Sequence, residues 1–175
     1  WDGPSPAQRL RDHLDPANTG ALTVGGMNPN VVQLRNDAFA DAILLRGRRG
    51  SVTGSNVGAT AQRGEPVHAG VGGGKSVWWR WRAPRSERVE FSTAGSDYDT
   101  VLAVYRGNRV TRLRELASND DARGLGLQSR IRLRVLRGRL YRIAVDGYDG
   151  DTGAIVLNFR PLAGGTSTAA AAVPD

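Results

Sequence analysis

Apolar and polar residues alternate with a period of two over much of the chain. In Arg130-Ile131-Arg132-Leu133-Arg134-Val135 the odd positions are apolar and three arginines occupy the even ones, the signature of a strand with one face on a core. Val77, Trp79 and Trp81 likewise share one face of their segment, with Trp78, Arg80 and Arg82 on the other. Thr100 to Tyr105 is apolar on both faces, which predicts a central strand. Turn-forming residues separate these runs. The pattern predicts strands over 76–83, 88–93, 100–105, 110–117, 130–136, 140–145 and 154–159, a shorter one over 51–53, and a helical turn over 36–42 feeding the apolar segment 43–45. Strands at this spacing, with no convincing interior helix, predict an all-β fold, an antiparallel sandwich or barrel.

The flanks read differently. Residues 1–35 form an N-terminal extension in which Ser5-Pro6-Ala7-Gln8 reads as a helix start, with an N-cap, a proline in the first turn and a capping-box glutamine. That short helix runs through Leu10 and Leu14 and stops near Asp15-Pro16. Its apolar stripe is thin, so ordering it requires a partner surface. Trp1, Leu10 and Leu14 are therefore candidate docking residues. Residues 163–175 read as a flexible, Ala-rich tail, which leaves 36–162 as the sandwich.

Charge and composition narrow the classes of function. The 175 residues include no cysteine and carry a net charge of +7, with Lys75 the only lysine among 24 basic residues. The arginines are interleaved with acids and form no basic arm, which argues against a nucleic-acid partner. No run reaches the ~20 apolar residues needed to span a bilayer as a helix, so contact with a membrane is expected to be peripheral at most. The chain starts at Trp1 and its only methionine is Met27. The expectation is an exported protein, periplasmic or extracellular, from which a leader has been removed.

Strand parity then organises the chemistry. The hairpin over 100–117 opens towards Asp97 and Asp99 on one side and Asn119, Asp120 and Asp121 on the other. The return through 141–145 ends beside Asp146, Asp149 and Asp151. All three acidic loops are expected at one end of the sandwich, with the turns at 106–109 and 137–139 at the other. Eight oxygen-bearing side chains could hold calcium, which takes six to eight oxygens. The competing reading is turn chemistry, in which Asp and Asn cap backbone N–H groups. Trp78, beside Arg80 and Arg82, is the only tryptophan of its strand with a claim to be an exposed aromatic platform, although core packing is the competing reading for all three. Support for catalysis is thin. Glu65 and His68 are three residues apart in a Gly-rich loop and read as a structural clamp. The run Gly70-Val71-Gly72-Gly73-Gly74-Lys75-Ser76 precedes a strand rather than a helix, which excludes a phosphate loop.

From Asn36 to about Pro161 the chain resembles the bacterial pre-peptidase C-terminal domain family. The matching pieces include Asn36-Asp37-Ala38-Phe39-Ala40-Asp41-Ala42, Gly64-Glu65-Pro66-Val67-His68-Ala69-Gly70, Ser76-Val77-Trp78-Trp79-Arg80-Trp81, Asp97-Tyr98-Asp99-Thr100-Val101-Leu102-Ala103-Val104-Tyr105, Asn119-Asp120-Asp121 and Tyr141-Arg142-Ile143-Ala144-Val145-Asp146-Gly147. The resemblance implies a jelly-roll-like β-sandwich, typically secreted and not itself catalytic, with calcium- and protein-binding relatives among collagen-binding domains. The expected function is a non-catalytic, exported, protein-binding sandwich, a structural or stabilising accessory subunit of a larger extracytoplasmic or membrane-associated assembly such as a respiratory or photosynthetic complex. The alternative is a carbohydrate- or matrix-binding accessory module of a secreted hydrolase.

Overall fold

The computed structural model describes residues 35–163. The predicted helix with Trp1, Leu10 and Leu14, and the tail from residue 164 onward, lie outside the described residues. Nine strands form two stacked sheets: β1 (Ile43–Leu45), β2 (Gly50–Ser55), β3 (Val77–Arg82), β4 (Glu87–Ser92), β5 (Thr100–Arg106), β6 (Arg114–Asn119), β7 (Arg130–Val135), β8 (Leu140–Gly147) and β9 (Ala154–Pro161). One sheet has the order β1-β3-β8-β5-β6 and the other β2-β9-β4-β7, giving the expected jelly-roll-like sandwich.

Two features depart from the expectation. First, β1 pairs with β3 in parallel, Ile43 opposite Trp79 and Leu45 opposite Trp81, whereas every other pairing is antiparallel. A parallel neighbour needs a long crossover. Strand β2 and residues 56–76 supply it, because the chain visits the second sheet before returning as β3. Second, the strand expected over 110–117 begins later. Val110–Arg112 is a 3₁₀ turn, and the strand runs Arg114–Asn119. Gly107 has φ +141°, and a Cβ there would sit 2.9 Å from the Arg112 carbonyl oxygen, so the chain folds tightly back on itself. That turn lets Val110 and Leu113 pack against buried residues of the first sheet's outer face.

Between the sheets, Val77, Trp79 and Trp81 from β3 and Ile143 and Val145 from β8 meet Phe91 from β4 and Ile155, Leu157 and Phe159 from β9. Trp81 meets Phe91 edge to face, with centroids 5.6 Å apart, a geometry favoured by the ring quadrupoles. Small residues in β2 make room for large ones elsewhere. A Cβ on Gly50 would lie 2.9 Å from the Phe159 ring, and one on Gly54 would lie 3.2 Å from Trp79. As predicted, β5 is buried on both faces.

A second apolar cluster lies on the opposite face of the first sheet, where Trp78, Ala103, Tyr105 and Ala144 are covered by Phe39 and Ala42 from the short 3₁₀ turn before β1. Residues 56–76 are held by side chains rather than by strand pairing. Asn56 clasps Asp151 and Gly153, Asp37 holds Thr60, and Gln62 accepts from the Phe39 N–H. A segment this long in a compact domain needs such anchors to stay ordered.

Candidate functional site

The acidic loops meet as parity requires. The Asp99 N–H donates to Asp151 Oδ2 at 3.1 Å, the Tyr148 N–H donates to the Asp99 carbonyl at 3.0 Å, and Thr100 pairs with Gly147 at the same end of the sheet. The eight candidate ligands do not act as one set. Asp146 turns inward and is buried, accepting from the N–H groups of Gly74, Lys75 and Gly147. Asp97 accepts from the Ala154 N–H at 2.6 Å. Asn119 accepts from the Arg130 N–H at 2.7 Å, and Asp151 accepts from the Asp99 and Thr152 N–H groups. Asp149 lies in a short 3₁₀ turn with φ +47°. Turn chemistry thus occupies much of this end.

What remains is a tight trio. One carboxylate oxygen from each of Asp99, Asp120 and Asp121 lies within 4.8 Å of the others. Asp99 Oδ1 and Asp120 Oδ1 are shielded from solvent and have no hydrogen-bond partner. Burial raises the Asp99 carboxyl above its ordinary range, and the charges of Asp120, Asp121 and Asp151 add to this. Burial also raises Asp120, helped by Asp121. Crowded carboxylates with orphaned oxygens fit a hard divalent cation, which binds oxygens at about 2.3–2.6 Å. Three carboxylates are a partial set, to be completed by backbone carbonyls or water.

Of the two readings of Trp78, core packing holds and the exposed platform is overturned. Trp78 is 0% exposed, packed edge-on against Phe39 at 5.2 Å and His68 at 5.4 Å. Two further layers, the 3₁₀ turn before β1 and the loop at 56–76, lie over its face. Arg82 is exposed and donates to the Gly138 carbonyl at 2.6 Å. Arg80 is half-buried opposite Arg142, whose guanidinium lies 4.4 Å from the Phe39 ring centroid.

The Glu65–His68 clamp forms, and tertiary structure enlarges it. His68 Nε2 lies 3.0 Å from Glu65 Oε1, and His68 Nδ1 lies 2.6 Å from Tyr105 Oη. Glu65 also accepts from the Ser76 hydroxyl and from the Gln62 N–H. With the imidazole hydrogen on Nε2, donating to Glu65, Nδ1 accepts from the Tyr105 hydroxyl; the Glu115 carboxylate, at 3.4 Å, is the poorer acceptor for that hydrogen. Burial raises the Glu65 carboxyl, but hydrogen bonds from His68, Ser76 and Gln62 outweigh it and hold the group below its usual range. Burial pushes the Tyr105 phenol up, with the charges of Glu115 and Glu65 adding to the effect. Ser76 joins from the end of the same loop, just before β3, and Tyr105 from β5, so only the i,i+3 spacing of Glu65 and His68 was visible in the sequence.

Glu90, on the outer face of the second sheet, was missed altogether. Its buried carboxylate accepts from Arg132 Nε at 2.8 Å and from Arg160 at 2.7 and 2.9 Å, with Arg130 at 3.8 Å. The three-arginine alternation of β7 was the available signal; the partner came from register, because Glu90 pairs with both Arg132 and Arg160.

No protein-family model matches the chain, and no curated protein shows significant similarity to it. Among solved structures, it is similar to the pre-peptidase C-terminal domain of collagenase from Bacillus anthracis, at 12% identity and a TM-score of 0.46 over 68% of this chain and 94% of that one. It is also similar to PliG of Aeromonas hydrophila, a periplasmic inhibitor of g-type lysozyme, at 12% identity and a TM-score of 0.45 over 69% and 96%. The first is a domain of the family that the sequence pieces resemble. Likenesses this distant carry no inference about ligand or activity.

Proposed function

We propose that this chain is a non-catalytic, exported β-sandwich that works by binding protein, as a structural or stabilising accessory subunit of a larger extracytoplasmic assembly. The observation that carries this reading is the state of the His68 cluster, the one among the described residues that joins a histidine to a carboxylate and a phenol. His68 is 2% exposed, both its ring nitrogens are engaged, and its neighbours Glu65 and Tyr105 are buried with it. A general base must reach the proton it abstracts, and this one is spent on joining a loop to a sheet. Support for docking comes from β1, a three-residue edge strand whose Ile43 and Leu44 are 39% and 38% exposed. An edge strand with unpaired backbone groups and aliphatic side chains is suited to a partner chain. The extension and tail are the further proposed docking arms.

The test is isolation of the native chain from its source after gentle solubilisation. It is expected to co-purify with defined partners in fixed stoichiometry and to lose them when Ile43 and Leu44 are both changed to Ser. A monodisperse monomer before any substitution counts against the reading.

The acidic end is proposed to hold calcium through Asp99, Asp120 and Asp121, as a stabilising ion rather than a reactive one. Added calcium is expected to raise the melting temperature of the chain by several degrees, since a ligand bound only to the folded state stabilises it by mass action. Asp99→Asn is expected to abolish that rise. An equal rise with magnesium or in the variant, or none in the wild type, removes calcium from the reading.

A further inference from the structure

We propose that the outer face of the β2-β9-β4-β7 sheet binds an acidic polysaccharide, a glycan chain bearing carboxylate or sulfate groups. The inference stands independently of the protein-docking reading and concerns a different face. Alternation turns Val89, Phe91, Ile131, Val135, Leu157 and Phe159 towards the core, so their strand neighbours Arg88, Glu90, Arg130, Arg132, Arg134 and Arg160 point outward. Five guanidiniums thus share the face of three adjacent strands with one carboxylate. Register sets Arg88 opposite Arg134, a like-charged pair, and Glu90 between Arg132 and Arg160.

Glu90 organises this face rather than neutralising it. Its side chain is 5% exposed, while those of Arg132 and Arg160 are 51% and 65% exposed. Each arginine therefore spends one edge on Glu90 and carries the rest of its guanidinium into solvent. Arginine presents a planar fork suited to carboxylate and sulfate, and a fork held in place loses less freedom when it binds. The outward arginines of β7 span about 13 Å along the strand at ~3.3 Å per residue, which suits an extended chain of anionic groups better than one small ion.

The remainder of the face selects among polyanions. Beside the Glu90 fork lies an open depression of about 320 Å³, lined by Arg49, Gly50, Ser92, Asn158 and Phe159 as well as Glu90 and Arg160; the Phe159 ring belongs to the core between the sheets and is only 4% exposed. Hydroxyl, amide and guanidinium groups around a shallow hollow are complementary to sugar hydroxyls and acid groups. None of the exposed large apolar residues of the described chain falls on these four strands. A protein interface is usually built around an apolar or aromatic centre, and sequence-tolerant binding of single-stranded nucleic acid uses aromatic stacking. This face offers neither.

The test is titration of the full chain with heparin oligosaccharide and with oligogalacturonate, using neutral dextran, single-stranded DNA and poly-glutamate as comparison ligands. Both acidic glycans are expected to bind, more weakly as salt rises, and more tightly than any comparison ligand. The Arg132→Gln, Arg160→Gln, Glu90→Gln triple variant removes the fork without stranding a buried carboxylate, and is expected to lose at least about tenfold in affinity. Should that variant melt early, Arg88→Gln with Arg134→Gln, at exposed positions, is the second probe, with a loss of about threefold expected. Arg109→Gln with Arg112→Gln removes the same charge near the 3₁₀ turn before β6 and is expected to leave affinity within about twofold, since distant exposed charges are screened. Equal losses in both arginine-pair variants, binding of dextran as tight as that of the acidic glycans, or preferential binding of DNA or poly-glutamate overturns the proposal.

Discussion

Trp78→Ala is expected to destabilise the domain by about 3–5 kcal/mol, the range for removing a large buried aromatic and leaving a cavity behind. The indole is the centre of the second apolar cluster, in contact with Phe39, His68 and Tyr105. These partners come from three separate parts of the chain: the turn before β1, the long loop and β5. Losing the ring therefore loosens the whole outer covering of the first sheet, and the effect is expected to appear in thermal melting and in faster amide exchange across 56–76. Trp78 Nε1 is buried without a hydrogen-bond partner, so the indole carries an uncompensated polar group. Trp78→Phe keeps most of the ring and discards that N–H, and is expected to cost only about 1 kcal/mol. A surface aromatic would behave oppositely, with little change in melting for either variant.

Glu65→Ala is expected to cost about 3 kcal/mol or more, because it strands buried donors at once. The His68 Nε2–H, the Ser76 hydroxyl and the Gln62 N–H all lose their acceptor. Glu65→Gln keeps the shape and one acceptor oxygen and is expected to be milder. The two forms also separate by pH. The Glu65 carboxyl is held below its usual range in the fold, so the unfolded chain takes up the proton more readily than the native one. Its contribution is present in full above the ordinary carboxyl value of about 4.3 and is lost as pH falls through the lower folded value. Chemical denaturation of wild type and Glu65→Gln from neutral pH into acid is expected to show the difference between them shrinking below that point. A difference that stays constant or grows in acid contradicts this account.

The two variants probe the part of the molecule where one-dimensional reading falls short. The apolar alternation of β3, β7 and β9 is local, since each strand states in its own residues which face is buried; the sandwich, its inward faces and the double burial of β5 were therefore legible. The gathering of acidic loops at one end was legible too, because strand direction follows from counting reversals. The trio Asp99, Asp120 and Asp121 was named within a larger set. Its separation from Asp146 was not visible, because it depends on Gly73: a Cβ there would meet the Gly147 carbonyl and the Asp146 carboxyl. Glycine lets that loop approach closely enough for its N–H groups to claim the carboxylate.

By itself, then, the sequence determined the sheet faces, the polarity of the sandwich along its strands and the spacing of the Glu65–His68 pair. Each is a short-range property, readable from period two or from turn residues. The tertiary structure alone decided that Trp78 lies beneath a second layer, that Ser76 and Tyr105 complete the Glu65–His68 cluster, and that Glu90 meets Arg132 and Arg160. Those outcomes depend on which distant segments share a register or cover a face, and burial and hydrogen-bond satisfaction are settled only when such segments come together.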